Sequence, residues 1–186
     1  SGDLIYAGGQ FETIGGEARE NLASINMSDG SLTDWNPSAN IDVRTFTIHN
    51  GRLYVGGAFT EIAGNSRTGL AAFNLSDGSL VDFWNPVLIG NTQNAIVNVL
   101  KVQTSALYVG GVFNTVDDLS RNHLAVYSLL SFEVLNWDPS PNNWVRAIEV
   151  TEEEIFVGGS FTTISGVNRP YVASVDRINW QATDWN

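Results

Sequence analysis

Four times along the chain a Gly-Gly-x-Phe tetrapeptide is followed at a nearly fixed distance by an arginine and then by a tryptophan. The copies open at Gly8-Gly9-Gln10-Phe11, Gly56-Gly57-Ala58-Phe59, Gly110-Gly111-Val112-Phe113 and Gly158-Gly159-Ser160-Phe161. A period of about 50 residues is the size class of propeller blades, units that bury their apolar surface only by stacking on a neighbour. Arg19, Arg67, Arg121 and Arg169 each lie eleven residues after the first Gly, and Trp35, Trp84, Trp137 and Trp185 follow after sixteen or seventeen more. Residues 1–186 therefore read as a single repeat domain with copies at approximately 1–40, 41–92, 93–142 and 143–186. A residue present in every copy more readily holds that copy together than acts on a substrate, so the repeat constrains fold far more than function.

Within each copy, short apolar segments alternate with turn residues, and no 3.6-residue apolar period runs long enough for a helix. The expectation is all-β: a β-propeller of four four-stranded blades, the first blade lacking one strand, itself complete or part of a larger propeller or array. In the second copy the strands are predicted at Val43 to His49, Arg52 to Gly57, Leu70 to Asn74 and Ser79 to Trp84. Asn50-Gly51 would join the first pair and Asp77-Gly78 the last, both as type I′ turns, with Asp29-Gly30 repeating the latter. The segments Leu53-Tyr54-Val55, Leu107-Tyr108-Val109 and Ile155-Phe156-Val157 are apolar at successive positions, which requires cover on both faces. Blades packed face to face provide it; a sandwich or solenoid is the structural alternative.

Composition excludes several functions. The formal net charge is −11, Lys101 is the only lysine, and nothing gathers the basic residues that a phosphate backbone needs, so nucleic acid is not an expected partner. With no cysteine there is neither a disulfide framework nor a thiolate metal site. No apolar run reaches the roughly 18 residues of a membrane-spanning helix, so no membrane insertion is expected. His49 and His123 do not recur between copies, and no nucleophile elbow, His-x-x-x-His pair or calcium loop accompanies them. Neither catalytic residues nor metal ligands nor a cofactor are assigned, and the chain is not expected to be an enzyme. Asp118 stands where the other copies carry Gly16, Gly64 and Gly166, and Asp117-Asp118 reads as turn chemistry rather than a metal site.

The repeated Arg and Trp read as one structural latch per blade: Arg19, Arg67, Arg121 and Arg169 stacking on Trp35, Trp84, Trp137 and Trp185, while the guanidinium fork bonds a carboxylate or backbone carbonyls. The rival reading is a sugar site, because Trp, Arg and the neighbouring Asp34, Asp82, Asn136 and Asp184 are the tools for stacking on and bonding a carbohydrate ring. A specific binding site should sit where the copies differ. The connection Val87 to Ala95 is longer than its counterparts and offers Asn91, Thr92, Gln93 and Asn94, and Trp144 is an aromatic without a counterpart. These five are the candidate binding residues.

Taken together, Gly56-Gly57-Ala58-Phe59-Thr60, Arg67, Leu70-Ala71, Asn74 with Asp77-Gly78-Ser79-Leu80, and Trp84-Asn85-Pro86 resemble the delta-60-type β-propeller repeats of large bacterial surface and secreted proteins. The resemblance extends over essentially the whole chain. Copies three and four depart from it at Ser128-Leu129-Leu130-Ser131 and Asp176-Arg177-Ile178-Asn179, which replace the Asp-Gly turn. What it implies is an extracellular or cell-surface scaffold without catalytic residues, one part of a longer array.

Two functions follow as expectations: a structural or adhesive module mediating protein contacts or self-assembly, and a carbohydrate-binding propeller. The partners would be other copies of the chain or the remainder of a longer surface protein in the first case, and a glycan in the second. The first copy begins near Leu4, already at its second strand, so one of sixteen strands is missing and the edge at Leu4 is expected to be completed by another subunit or by a continuation of the polypeptide. Head-to-tail completion would give a ring or a fibre.

Overall fold

A computed structural model describes residues 3–91 and 94–185. Among these there is no helix, and the chain divides into two compact units, Ser1–Pro86 and Val87–Asn186, each holding two copies of the repeat.

The first unit contains β1 (Leu4–Gly8), β2 (Thr13–Ile14), β3 (Glu17–Ala18) and β4 (Leu22–Asn26) from copy one, then β5 (Val43–His49), β6 (Arg52–Gly57), β7 (Glu61–Ile62), β8 (Asn65–Ser66) and β9 (Leu70–Asn74) from copy two. The second unit contains β10 (Leu88–Ile89), β11 (Ile96–Gln103), β12 (Ala106–Val112), β13 (Thr115–Val116), β14 (Leu119–Ser120) and β15 (Leu124–Ser128). It continues with β16 (Val145–Val150), β17 (Glu154–Gly159), β18 (Thr163–Ile164), β19 (Val167–Asn168) and β20 (Val172–Asp176) of copy four. The main sheets are antiparallel, in the orders β5-β6-β9, β11-β12-β15 and β16-β17-β20, with β1-β4 in copy one. Leu53, Tyr54 and Val55 on the central strand of copy two are buried, as are their copy-three counterparts. Within each unit the two copies share apolar core: Leu22 of copy one joins Val43, Val55, Phe59 and Phe73 of copy two, and Tyr108, Leu124 and Trp137 of copy three join Val145, Val157 and Phe161 of copy four.

The fourth predicted strand is nearly absent. In place of a strand from Ser79 to Trp84 there is a single bridge, Phe73↔Leu80, and each other copy has one equivalent bridge: Ile25↔Leu32, Tyr127↔Val134 and Val175↔Ala182. In copies one, three and four an arginine side chain bonds the next carbonyl, Thr33 O, Leu135 O or Thr183 O. The turn before it also differs from expectation. Asn50 and Gly51 both have positive φ, as a type I′ turn requires, but at Asp77-Gly78 only Gly78 does. Gly78 N–H closes a longer loop onto Asn74 O at 2.9 Å, and Asp77 Oδ1 accepts from Ser79 N–H at 2.9 Å. Copies three and four keep this loop despite their different sequences, with Phe132 and Trp180 in the left-handed position of Gly78. The connection after each Phe, expected as plain turn, is a miniature two-residue hairpin; its type I′ turn carries Gly15-Gly16, Ala63-Gly64, Asp117-Asp118 or Ser165-Gly166, all at positive φ.

Candidate functional site

The glycine pair works at two joints. A methyl group on the second glycine would meet the backbone of its own copy: 2.2 Å from Asp42 O at Gly57, 2.0 Å from Ile96 O at Gly111 and 2.1 Å from Trp144 O at Gly159. Opposite this contact the first strand bulges, between Val43 and Thr45, Val97 and Val99, and Val145 and Ala147. A methyl on the first glycine would meet the next copy instead, 2.7 Å from a Val43 methyl at Gly8 and 2.5 Å from a Val145 methyl at Gly110.

The arginines cross-link each copy internally. Arg19 donates to Ala18 O at 2.8 Å and Thr33 O at 3.0 Å, Arg121 to Ser120 O at 2.7 Å and Leu135 O at 3.0 Å, and Arg169 to Asn168 O at 3.2 Å and Thr183 O at 2.9 Å. Arg67 donates to Ser66 O at 2.9 Å and lies 3.6 Å from the Asp82 carboxylate. In three copies the far acceptor is the carbonyl two residues before the tryptophan, so the fork fixes the stub of the fourth strand. Each indole packs edge-to-face on the aromatic that stands two residues before the glycine pair: Trp35 on Tyr6, Trp84 on Tyr54, Trp137 on Tyr108 and Trp185 on Phe156, with centroids 5.2–5.8 Å apart. These aromatic partners were missed in the sequence, although their invariant offset from Gly-Gly was the signal for them. Trp35 reaches further, meeting Phe73 of copy two at 5.3 Å and donating Nε1–H to Gly78 O at 2.9 Å.

Of the symmetry-breaking residues, Thr92 and Gln93 lie outside the described residues. Asn91 and Asn94 are exposed, and Asn91 N–H donates to Asn114 Oδ1 at 3.0 Å. The first part of the long connection is not a free loop: β10 pairs with β13, and Val87 N–H donates to Asp117 Oδ1 at 2.7 Å. Asp117 Oδ2 also accepts from Tyr127 Oη at 2.8 Å; burial, first, and the facing carboxylate push the Tyr127 phenol well above the ordinary tyrosine range. Trp144 is exposed, with the Arg146 guanidinium 5.4 Å from its ring, and no hydrogen bond joins it to Asn91 or Asn94 among the described residues. His123 occupies a left-handed position beside Arg121, where its backbone bonds Phe113 O and Gly111 N–H; burial holds its imidazole below the usual range.

A cavity of about 300 Å³ opens in the first unit, lined by Tyr6, Trp35 and Phe73 with Ser24, Thr33 and Asp77 at its polar side. Its polar groups are largely engaged already: Ser24 Oγ with Thr33 Oγ1 at 2.5 Å, Asp77 Oδ1 with Ser79, and the Trp35 N–H with Gly78 O.

A family model described as a domain of unknown function (DUF5122) beta-propeller matches residues 49–80 and 154–173, in copies two and four. No curated protein matches the chain in sequence. Among solved structures, the computationally designed Ika4 protein is similar at a TM-score of 0.57 and 11% identity, over 95% of this chain and 86% of that one. The computationally designed Ika8 protein is similar at 0.56 and 11% identity, over 98% of this chain and 58% of that one, so the chain spans little more than half of Ika8. The blade-like sheets, the propeller family model and these likenesses together make the fold an all-β one of the β-propeller class.

Proposed function

We propose that the chain is a non-catalytic extracellular or cell-surface module that makes protein–protein contacts and assembles, up to a fibre, through its sheets. The observation that supports this most is that the repeated Arg and Trp spend their hydrogen bonds and ring faces within and between adjoining copies, which is how a scaffold uses them. Self-association of the purified chain, followed by size exclusion with light scattering over a micromolar to sub-millimolar series, is the test; a chain that stays monomeric throughout would count against assembly.

The second reading, a carbohydrate-binding module, draws on the aromatic cavity of the first unit. It ranks lower because a sugar needs unspent hydrogen-bonding groups. A glycan array separates the two: specific binding that is lost in Tyr6→Ala would favour the lectin.

A further inference from the structure

Each unit contains one joint between two copies, and the joints differ in what the turn of the later copy carries. Gly78 N–H closes the turn of copy two onto Asn74 O at 2.9 Å, and Trp180 N–H closes that of copy four onto Asp176 O at 3.1 Å, with both residues in the left-handed region. The Trp180 side chain packs against a core that includes Tyr108, Trp137, Ile155 and Val175. The counterparts of these four in the first unit, Tyr6, Trp35, Leu53 and Phe73, line the cavity of about 300 Å³, and the residue beside them is Gly78, which has no side chain to put there. The match is fixed by pairing: Tyr6 meets Trp35 edge-to-face as Tyr108 meets Trp137, and Leu53 pairs with Phe73 as Ile155 does with Val175. Trp35 uses part of the room, donating Nε1–H to Gly78 O, whereas the buried Trp137 Nε1 has no hydrogen-bond partner.

What remains in the first unit is a space walled by rings and marked by one charge. Ser24 and Thr33 bond each other, which leaves a sugar few hydroxyl partners. Asp77 is exposed at the polar side of the cavity. Its Oδ1 accepts from the Ser79 hydroxyl and N–H, which holds the carboxyl below the usual range and keeps it an anion at neutral pH. A neighbouring recess that shares Trp35, Asp77 and Gly78 adds Asp34 and Asp82. Aromatic walls and carboxylates both favour a cation.

We propose that this cavity binds a small planar aromatic cation, with an indole-sized ring seated among Tyr6, Trp35 and Phe73 and an ammonium group at the Asp77 carboxylate. The ring takes the place that the Trp180 side chain has at the other joint. Binding of this kind is independent of self-assembly.

Tryptamine, an indole joined to an ammonium group, is the probe, and indole-3-acetate, the same ring joined to a carboxylate, is its control. In a titration of the isotope-labelled chain at low salt, followed by NMR, the Trp35 indole N–H and Gly78 amide signals are expected to shift, with tryptamine bound about tenfold or more tighter than indole-3-acetate. Asp77→Asn should cut that preference by about threefold or more, whereas Glu133→Gln, the same charge change in copy three, leaves it unchanged. Gly78→Trp fills the cavity from within as copy four does, and should abolish binding; a thermal melt checks that this variant folds, and Asp77→Asn carries the test if it does not. No shift at Trp35 or Gly78 at millimolar tryptamine overturns the proposal, as does equal binding of indole-3-acetate or full binding by folded Gly78→Trp. Light scattering reads assembly separately: a monomer that binds tryptamine leaves this site standing, and a chain that assembles without binding tryptamine overturns the site and leaves assembly standing.

Discussion

At the residue scale, the glycines show how one residue type is fixed for separate reasons. Gly111 lies where a Cβ would fall 2.0 Å from Ile96 O, and no side-chain adjustment relieves a clash with backbone. Gly111→Ala is therefore expected to cost more than about 4 kcal/mol in a urea melt, the range of gross core disruption. Gly158→Ala meets only ordinary contacts and should stay within about 1 kcal/mol of the parent. Equal effects at the two sites would refute the division of labour within the pair. Tyr127 provides a pH probe. Its phenol is held protonated in the fold, so its folded pKa lies above the unfolded value of about 10. The associated stability is fully present below about pH 10 and is lost as pH rises beyond it. Tyr127→Phe should cost about 1 kcal/mol at neutral pH, discounted because Asp117 is exposed, and should flatten the alkaline decline of the melting temperature between about pH 9 and 11. An unchanged alkaline slope would remove Tyr127 from this role. The need for glycine was legible from the repeat. Which neighbour each glycine meets was not, because that depends on three-dimensional approach rather than on spacing.

At the scale of the element, three strands per copy followed directly from apolar runs bounded by turn residues, and Val43–His49, Arg52–Gly57 and Leu70–Asn74 have the expected limits. The fourth misled because its Ser-Leu-Val-Asp pattern resembles a strand, and in copies one, three and four a guanidinium eleven residues beyond the first glycine supplies the hydrogen bond that a longer ladder would have used. The miniature hairpins escaped notice because two residues per strand give no periodicity to read. The latch residues were visible in the sequence by their recurrence, yet the aromatic under each indole emerged only from the geometry. Trp137 tests the element as a whole, since it packs on Tyr108 within its copy and belongs to the core shared with copy four. Trp137→Ala is expected to lose about 3–5 kcal/mol by denaturant melting, and any ligand or partner affinity should fall only as far as folded protein is lost. Equal stability of mutant and parent would refute a structural role.

For the whole molecule, fold class was legible in the repeat because four consistent copies leave few architectures open. Function was less so: the loop candidates Asn91, Asn94 and Trp144 are exposed without converging on shared hydrogen bonds among the described residues. The placing of the two glycines carries one more consequence. The second glycine answers to the backbone of its own copy at Gly57, Gly111 and Gly159, while Gly8 and Gly110 also lie under a valine of the copy that follows, so within a unit excising or duplicating a whole period keeps the chemistry of the joint. Chain length in this architecture can change in integral steps without inventing an interface, and stability should grow by nearly equal increments with each period added. An insertion of half a period has no such freedom, because it would set a backbone carbonyl where a valine methyl belongs.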